Sequence, residues 1–291
     1  MMKPQIITFL IKCPDQKGII SKLTSFFYKE GFNIISSQQY TNSEEKKFFM
    51  RIRLASDTSV ILSKIQLEKR FSKLAESYQI DWHVDYGSKK QRIAIMVSHT
   101  SHNLYDLLHR HKEGKLPCEV KMVVSNHLKL KPVAEMFGIP FHYVPVTKTT
   151  KAEQEKGLIA LFDSHEIDLI VMARYMQILS ADFINHFPNK IINIHHSFLP
   201  AFQGANPYKK AYERGVKLIG ATAHYATEDL DEGPIIEQGV ERISHECTTS
   251  SLKSIGADIE TIVLARAVNC HLNNQIIVDG NKAIVFPEAG E

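Results

Sequence analysis

The sequence predicts an α/β protein of two domains, in which a small antiparallel sheet with two helices precedes a larger, mostly parallel sheet. Three observations predict this class. The chain has 291 residues, which exceeds one typical domain. Apolar patterns follow the order βαββαβ over the first part and then change to alternating strands and helices. A short polar segment at residues 87–91 separates the two regions and is predicted to be a linker.

The first domain is predicted to span residues 1–86. Apolar strand patterns occupy residues 6–11, 33–40, 48–54 and 80–84. Helical spacing of apolar residues follows Gly18 and recurs over residues 60–78, and a polar turn between the second and third strands indicates a hairpin. Two helices and four strands in this order give a ferredoxin-like domain.

The second domain is predicted to span residues 92–291. Short strand patterns lie at residues 92–98, 120–125, 141–144, 168–172 and 190–195, with helical patterns such as 158–165 between them. This alternation predicts a Rossmann-like, mostly parallel sheet, whose ligands bind at the carboxyl ends of the strands. The remaining patterns are strands at 218–224, 235–240, 275–278 and 283–286 and a long helix over 251–272.

Composition excludes several classes of protein. The chain is 44% hydrophobic and 23% charged, as in globular proteins. Residues 1–90 contain 15 Lys and Arg against 9 Asp and Glu. The other residues contain 20 Lys and Arg against 23 Asp and Glu. The larger domain therefore lacks the basic surface of a nucleic-acid binder. Apolar stretches are too short for a membrane helix and no signal peptide is evident, which predicts a cytoplasmic protein. Neither a CxxC pair nor an HExxH motif occurs, so we expect no metal site.

Candidate catalytic residues follow the strand at 190–195. Asn193 and His195 are two residues apart, so their side chains point to the same face of the strand end. An amide can donate a hydrogen bond to a developing oxyanion, and a histidine can transfer a proton near neutral pH. Taken alone, an Asn-x-His pair is more often a packed strand end, so a second motif is needed.

The second motif is the acidic loop 228–234, which lies between two predicted strands. Glu228 and Glu232 are typical of a solvated turn. Asp231 differs because it stands next to the rigid Gly233-Pro234 pair, from which its carboxylate could be held against His195.

Together these motifs resemble the catalytic core of the folate-dependent formyltransferases. The resemblance implies that Asn193, His195 and Asp231 form the catalytic triad. It also covers the segment 172–180, similar to the loop that recognises the pterin-like ring, and implies folate contacts for a second group of residues: Met176, Gln177, Ile178, Leu179 and Asp229. No cofactor other than the folate substrate is implied.

Within this family, the sequence resembles the enzymes that use water as acceptor. The loop at residues 97–103 lacks the glycines with which the ribonucleotide-using transferases cradle a phosphate, and His196 stands where those enzymes usually have proline. The stretch 195–202 followed by 204–208 also resembles the hydrolytic members. The expected reaction is hydrolysis of 10-formyltetrahydrofolate to formate and tetrahydrofolate, supplying one-carbon metabolism and purine biosynthesis. The alternatives are transfer of the formyl group to an amine such as glycinamide ribonucleotide, or a catalytically silent binding regulator.

The first domain resembles the ACT domain, a small regulatory module. The resemblance rests on its element order, on residues 15–18 after the first strand and on residues 31–34 after the first helix. It implies either an amino-acid effector or an oligomerisation surface, with equal weight, and it predicts a homo-oligomer.

Overall fold

The computed structural model describes residues 5–56, 63–147, 149–201 and 207–287. Its contacts group the chain into two units. The predicted α/β class, with a βαββαβ region before a mostly parallel sheet, is confirmed.

The first unit contains a four-stranded antiparallel sheet in the order β2-β3-β1-β4. Its elements are β1 (Ile6–Pro14), α1 (Ile19–Lys29), β2 (Phe32–Asn42), β3 (Lys47–Ser56), α2 (Lys64–Tyr78) and β4 (Asp81–Asp85). Phe9, Phe27 and Phe71 are fully buried and bring β1, α1 and α2 into one core. This is the ferredoxin-like arrangement expected from the apolar spacing.

Local signals explain where the two helices begin. Gly18 has a φ of 86°, a left-handed conformation that glycine adopts without strain, and α1 follows it directly. Ser63 caps α2 because its side chain accepts a hydrogen bond from the backbone N–H of Gln66. The predicted helix over 60–78 therefore begins at Lys64, and residues 60–62 of that prediction lie outside the described residues.

The second unit contains a seven-stranded sheet in the order β11-β10-β9-β8-β5-β6-β7. Its strands are β5 (Gln91–Val97), β6 (Cys118–Ser125), β7 (Phe141–Tyr143), β8 (Leu169–Met172), β9 (Ile191–His195), β10 (Leu218–Tyr225) and β11 (Ile235–Arg242). The helices are α3 (His102–Lys112), α4 (Lys131–Met136), α5 (Lys151–Ser164), α6 (Ala181–His186), α7 (Pro207–Arg214) and α8 (Thr249–Leu272). Strands β5 to β9 pair in parallel, whereas β10 is antiparallel to both β9 and β11.

The sheet reverses its direction of growth between β5 and β8. From β5 the chain adds β6 and β7 on one side, then crosses to add β8 and β9 on the other. In open α/β sheets, such a switch point leaves a crevice outside the carboxyl ends of the two central strands. The loops after β5, β8 and β9 all belong to this edge of the sheet.

The chain closes with the hairpin strands β12 (Ile276–Asp279) and β13 (Lys282–Val285). Contacts place Asn274–Ile277 and the segment from Ile284 in the first unit, where Ile277 and Phe286 pack with Phe49. The sequence predicts a second domain that runs unbroken from residue 92 to 291. The contacts instead assign two short segments near its end to the first unit. The packing of Ile277 and Phe286 against Phe49 is a long-range contact, which local apolar patterns do not predict.

Two kinds of feature are absent from the residues that the structure describes. No helix there is long and apolar enough to cross a bilayer. Nor does that part of the chain contain a group of three or more His, Cys, Asp or Glu side chains placed to hold a metal ion.

Candidate active site

The candidate site is centred on the last residues of β9. His195 is buried and Asn193 is partly buried, and both project from the same face of this strand. The antiparallel partner β10 places His224 directly opposite Asn193 and Thr222 opposite His195. The register of two neighbouring strands therefore brings an amide and two imidazoles together.

Asp231 reaches this group from the loop between β10 and β11. Its backbone φ is 59°, a left-handed conformation that aspartate tolerates better than most residues. Gly233 fixes the loop, because a Cβ at this position would collide with the backbone oxygen of Tyr225 at the end of β10. The Tyr225 backbone N–H also donates to the Pro234 oxygen at 3.0 Å.

The Asp231 carboxylate lies between two histidines. Its Oδ2 is 3.1 Å from His195 Nδ1, and its Oδ1 is 3.6 Å from His224 Nε2. The Nδ2 of Asn193 is 3.2 Å from the same His224 nitrogen. All three residues that sequence reasoning singled out as catalytic are therefore joined in one cluster, with His224 as its fourth member.

Hydrogen bonds define which imidazole nitrogens are available. His224 Nδ1 donates to the backbone oxygen of Tyr225 at 3.0 Å, so in the neutral ring Nε2 accepts from the Asn193 amide. Because His195 Nδ1 is directed to Asp231, its Nε2 is the nitrogen left for chemistry. That atom is buried and has no hydrogen-bond partner among the described residues. Buried polar atoms without a partner are rare in folded proteins, and a catalytic role is one explanation for them.

Asp231 stays ionised in this environment. Burial alone would raise the pKa of its carboxyl, but the hydrogen bond from His195 and the interactions with the two neighbouring histidines outweigh that effect and lower the pKa well below its usual value of 3.8.

A cleft with a cavity volume of about 50 Å³ opens beside the cluster, which is smaller than a typical small-molecule pocket of about 300–1,000 Å³. Its lining combines apolar side chains with the polar groups described above: Met172, Gln177, Ile178, Leu179, Ile184, Asn193, His224, Ala226, Thr227, Glu228, Leu230 and Asp231.

The cleft contains three of the five residues expected to contact folate. Gln177, Ile178 and Leu179 line it. Met176 and Asp229 are exposed and are not part of its lining, although Met176 begins the same loop. Glu228, which the sequence suggested was merely solvated, lines the cleft and accepts a hydrogen bond from Asn185 Nδ2 at 2.6 Å.

The loop after β9 is held by Thr222. Its hydroxyl donates to the Ser197 backbone oxygen at 2.9 Å and accepts from the Leu199 N–H at 3.0 Å. Within this loop, burial and then the nearby positive charge of Arg174 lower the pKa of His196 to about 4, so its imidazole is neutral at neutral pH. Residues 202–206 of the sequence motif lie outside the described residues.

His224 is the site residue that sequence reasoning missed. It lies in an apolar strand pattern in which a single histidine is usually a packed core residue. The signal that could have found it is the register of β10 against β9, which pairs it with Asn193.

Comparisons with known proteins agree with this architecture. A family model described as "Formyl transferase" matches residues 91–268, and one described as "ACT domain" matches residues 7–66. Formyltetrahydrofolate deformylase from Bacillus subtilis (strain 168) is 49% identical over 278 residues, which cover 95% of this chain and 92% of that protein.

Solved structures show the same relation. A formyltetrahydrofolate deformylase from Pseudomonas syringae pv. tomato is 39% identical with a TM-score of 0.94, and the match covers 99% of this chain and 96% of that one. Glycinamide ribonucleotide transformylase 1 from Symbiobacterium toebii is 27% identical with a TM-score of 0.64, and it matches 68% of this chain and 95% of its own. The similarity to the deformylase thus extends over both units.

Proposed function

Because this chain belongs to the formyl transferase family, and within it to the formyltetrahydrofolate deformylases, we propose that it hydrolyses 10-formyltetrahydrofolate to formate and tetrahydrofolate. The observation that carries this proposal is similarity over the whole chain. Deformylases match both the N-terminal unit and the larger unit, whereas the transformylase matches 68% of the chain. The proposed role is to supply formate for one-carbon metabolism and purine biosynthesis.

In the proposed mechanism, the Asp231 carboxylate accepts a hydrogen bond from His195 Nδ1–H and stabilises the protonated ring. His195 Nε2–H and one Asn193 amide hydrogen then donate to the formyl oxygen, where negative charge develops as water attacks the carbon. The second amide hydrogen of Asn193 remains on His224, which fixes the amide's orientation.

Collapse of the tetrahedral intermediate breaks the bond between the formyl carbon and N10. His195 Nε2 gives its proton to N10, and one proton of the attacking water restores the protonated imidazole. The oxygen of that water stays on carbon in formic acid, whose acidic proton is released to solvent to leave formate. This route uses protein groups and water, and no cofactor beyond the folate substrate is proposed.

The pterin-like ring is proposed to occupy the cleft beside Asp231. Support comes from the apolar lining of that cleft and from Gln177, Ile178 and Leu179 along one side. Met176 has an exposed side chain, which is proposed to contact a more distal part of the folate. Asp229 is proposed to contribute through the loop conformation, because its backbone oxygen accepts a hydrogen bond from Thr227 Oγ1.

The first unit is proposed to be a regulatory domain that takes an amino-acid effector. A pocket at the start of α1 supports this, with polar groups that could recognise ammonium and carboxylate, among them Asp15, Gln16, Ser21 and Thr24. An oligomerisation role for the same domain is the alternative, and a homo-oligomer in the cytoplasm remains a prediction.

The decisive experiment follows formate and tetrahydrofolate produced from 10-formyltetrahydrofolate, with and without glycinamide ribonucleotide. We expect one formate for each tetrahydrofolate in both conditions. Tetrahydrofolate formation that depends on the ribonucleotide, without formate, would establish the transferase alternative. Folate binding without either product would indicate a silent regulator.

A further inference from the structure

One wall of the cleft beside Asp231 is an irregular stretch of backbone, residues 176–179, called here the folate-recognition segment. Three of its four residues line the cleft. The structure describes all of residues 173–180, and none of them belongs to a helix or strand. The repeating hydrogen bonds of a regular element therefore do not fix this segment, and its position depends on contacts at its two ends.

The first of these contacts is made by Ser98, which directly follows β5. The residue is fully buried, and its hydroxyl donates a hydrogen bond to Asn126 Oδ1 at 2.7 Å. A serine hydroxyl has a single hydrogen, so its oxygen is left to act as an acceptor. That oxygen accepts a hydrogen bond from the Met176 backbone N–H at 3.0 Å, and it thereby holds the start of the folate-recognition segment.

This hydrogen-bonded chain crosses the switch point of the parallel sheet. Strand β5 lies between β8 and β6, and Ser98, Asn126 and Met176 follow the carboxyl ends of β5, β6 and β8 respectively. Open α/β sheets bind their ligands at this edge. Ser98 therefore connects the loops of three neighbouring strands at the place where a ligand is expected.

The second contact is made by Glu155 on α5. This glutamate is 8% exposed, and its Oε1 accepts a hydrogen bond from the Ser180 backbone N–H at 3.1 Å. The Ser180 hydroxyl accepts a hydrogen bond from the Phe183 N–H at 3.2 Å and so caps α6. Glu155 therefore fixes the end of the folate-recognition segment to two helices.

Between these two contacts the side chains alternate between the core and the solvent. Tyr175 and Leu179 are buried in the hydrophobic core, whereas Met176 and Ile178 are exposed. Displacement of either end of the segment would move the residues that line the cleft, because no element of regular structure holds them in between.

We propose that Ser98 and Glu155 are positioning residues that hold the folate-recognition segment in the conformation that binds the substrate. Their hydrogen bonds go to the backbone at the two ends of this segment and not to the catalytic cluster. Their loss therefore weakens folate binding and leaves the chemical step nearly unchanged. This inference rests on the proposed deformylase function.

The test compares two substitutions of Glu155. Glu155→Ala removes the acceptor of the Ser180 N–H, and we expect the KM for 10-formyltetrahydrofolate to rise about tenfold while kcat changes by less than about twofold. Glu155→Gln removes the charge that lies 3.9 Å from Lys151 Nζ but keeps an acceptor oxygen. It should therefore restore KM to within about twofold of the native value. Binding of tetrahydrofolate, measured by calorimetry, should follow the same pattern without depending on turnover.

Ser98→Ala tests the other end of the segment and should also raise KM about tenfold. Glu153→Ala is the matched control, because it truncates a glutamate at an exposed position of the same helix. The control should leave KM, kcat and tetrahydrofolate binding unchanged. Thermal unfolding of each variant separates weaker folate binding from a loss of the fold, and Ser98→Ala provides the test if Glu155→Ala does not fold.

Two results would overturn the inference. One is a folded Glu155→Ala or Ser98→Ala variant that binds tetrahydrofolate as tightly as the native chain or loses kcat at an unchanged KM. The other is a Glu155→Gln variant as impaired as Glu155→Ala, since the hydrogen bond would then not be the cause. Either result leaves the proposed function intact if the native chain releases formate, whereas absence of formate from the native chain would refute the proposed function itself.

Discussion

Replacing Asp231 with asparagine tests whether its carboxylate is catalytic or only part of a surface turn. The change keeps the size of the side chain and suits the left-handed backbone at this position, because asparagine adopts that conformation readily. It removes the negative charge that lies 3.1 Å from His195 Nδ1 and 3.6 Å from His224 Nε2. The perturbation is therefore electrostatic rather than steric.

The geometry gives a scale for the effect. At an effective dielectric constant of about 20, a unit charge pair at 3.1 Å interacts by about 5 kcal/mol. An asparagine oxygen recovers part of this by accepting the same hydrogen bond. We therefore expect kcat to fall by roughly 10²–10⁴, which corresponds to about 3–5 kcal/mol of barrier.

The assay is formate release at saturating 10-formyltetrahydrofolate, with folate binding and thermal unfolding measured on the same samples. His195→Ala should lose a similar factor, and the double variant should be little worse than either single one, because the two residues act as a unit. Glu232→Gln is the control, since Glu232 is exposed in the same loop. Full activity in Asp231→Asn would refute the mechanism.

Three other predictions concern the acceptor, the loop and pH. Glycinamide ribonucleotide should neither bind the native chain nor accelerate donor consumption, and calorimetric binding at micromolar concentration would contradict this. Gly233→Ala should lower kcat by about 10–10²-fold, because the added Cβ meets the Tyr225 oxygen and displaces Asp231; an unchanged rate would show that the loop has room to adjust. Because the pKa of His196 falls from 6.5 to about 4 on folding, the unfolded chain binds the extra proton first, so this residue lowers stability as pH falls through that range. His196→Gln should remove about 2 kcal/mol of the stability difference between pH 7 and pH 5, measured by urea unfolding, and an unchanged difference would mean that His196 does not titrate as described.

Much of the fold was predictable because its signals are local. Alternating apolar residues and helical spacing gave the order of elements in both units, and the polar segment at residues 87–91 marked the change between them. The exception is the C-terminal hairpin. Ile277 and Phe286 read as ordinary strand residues, and nothing in their neighbourhood indicates that they pack with Phe49, more than two hundred residues earlier in the chain.

The residues of the candidate site also differ in whether the sequence alone could predict them. Asn193, His195 and Asp231 lie in short motifs with turn residues beside them, so their proximity could be anticipated. His224 could not be found this way, since its role depends on the register between two strands.

The C-terminal segments that belong to the first unit also mean that the contacts of this unit form in two stages during synthesis. Residues up to Lys90 leave the ribosome first, and their main core needs no later residue. Phe49, however, acquires Ile277 and Phe286 as neighbours only after about 180 further residues have been made, roughly 10–40 s later at ordinary elongation rates. Throughout that interval Phe49 packs with Leu10 and stacks on Tyr40, while Ile277 and Phe286 are still missing from this small core.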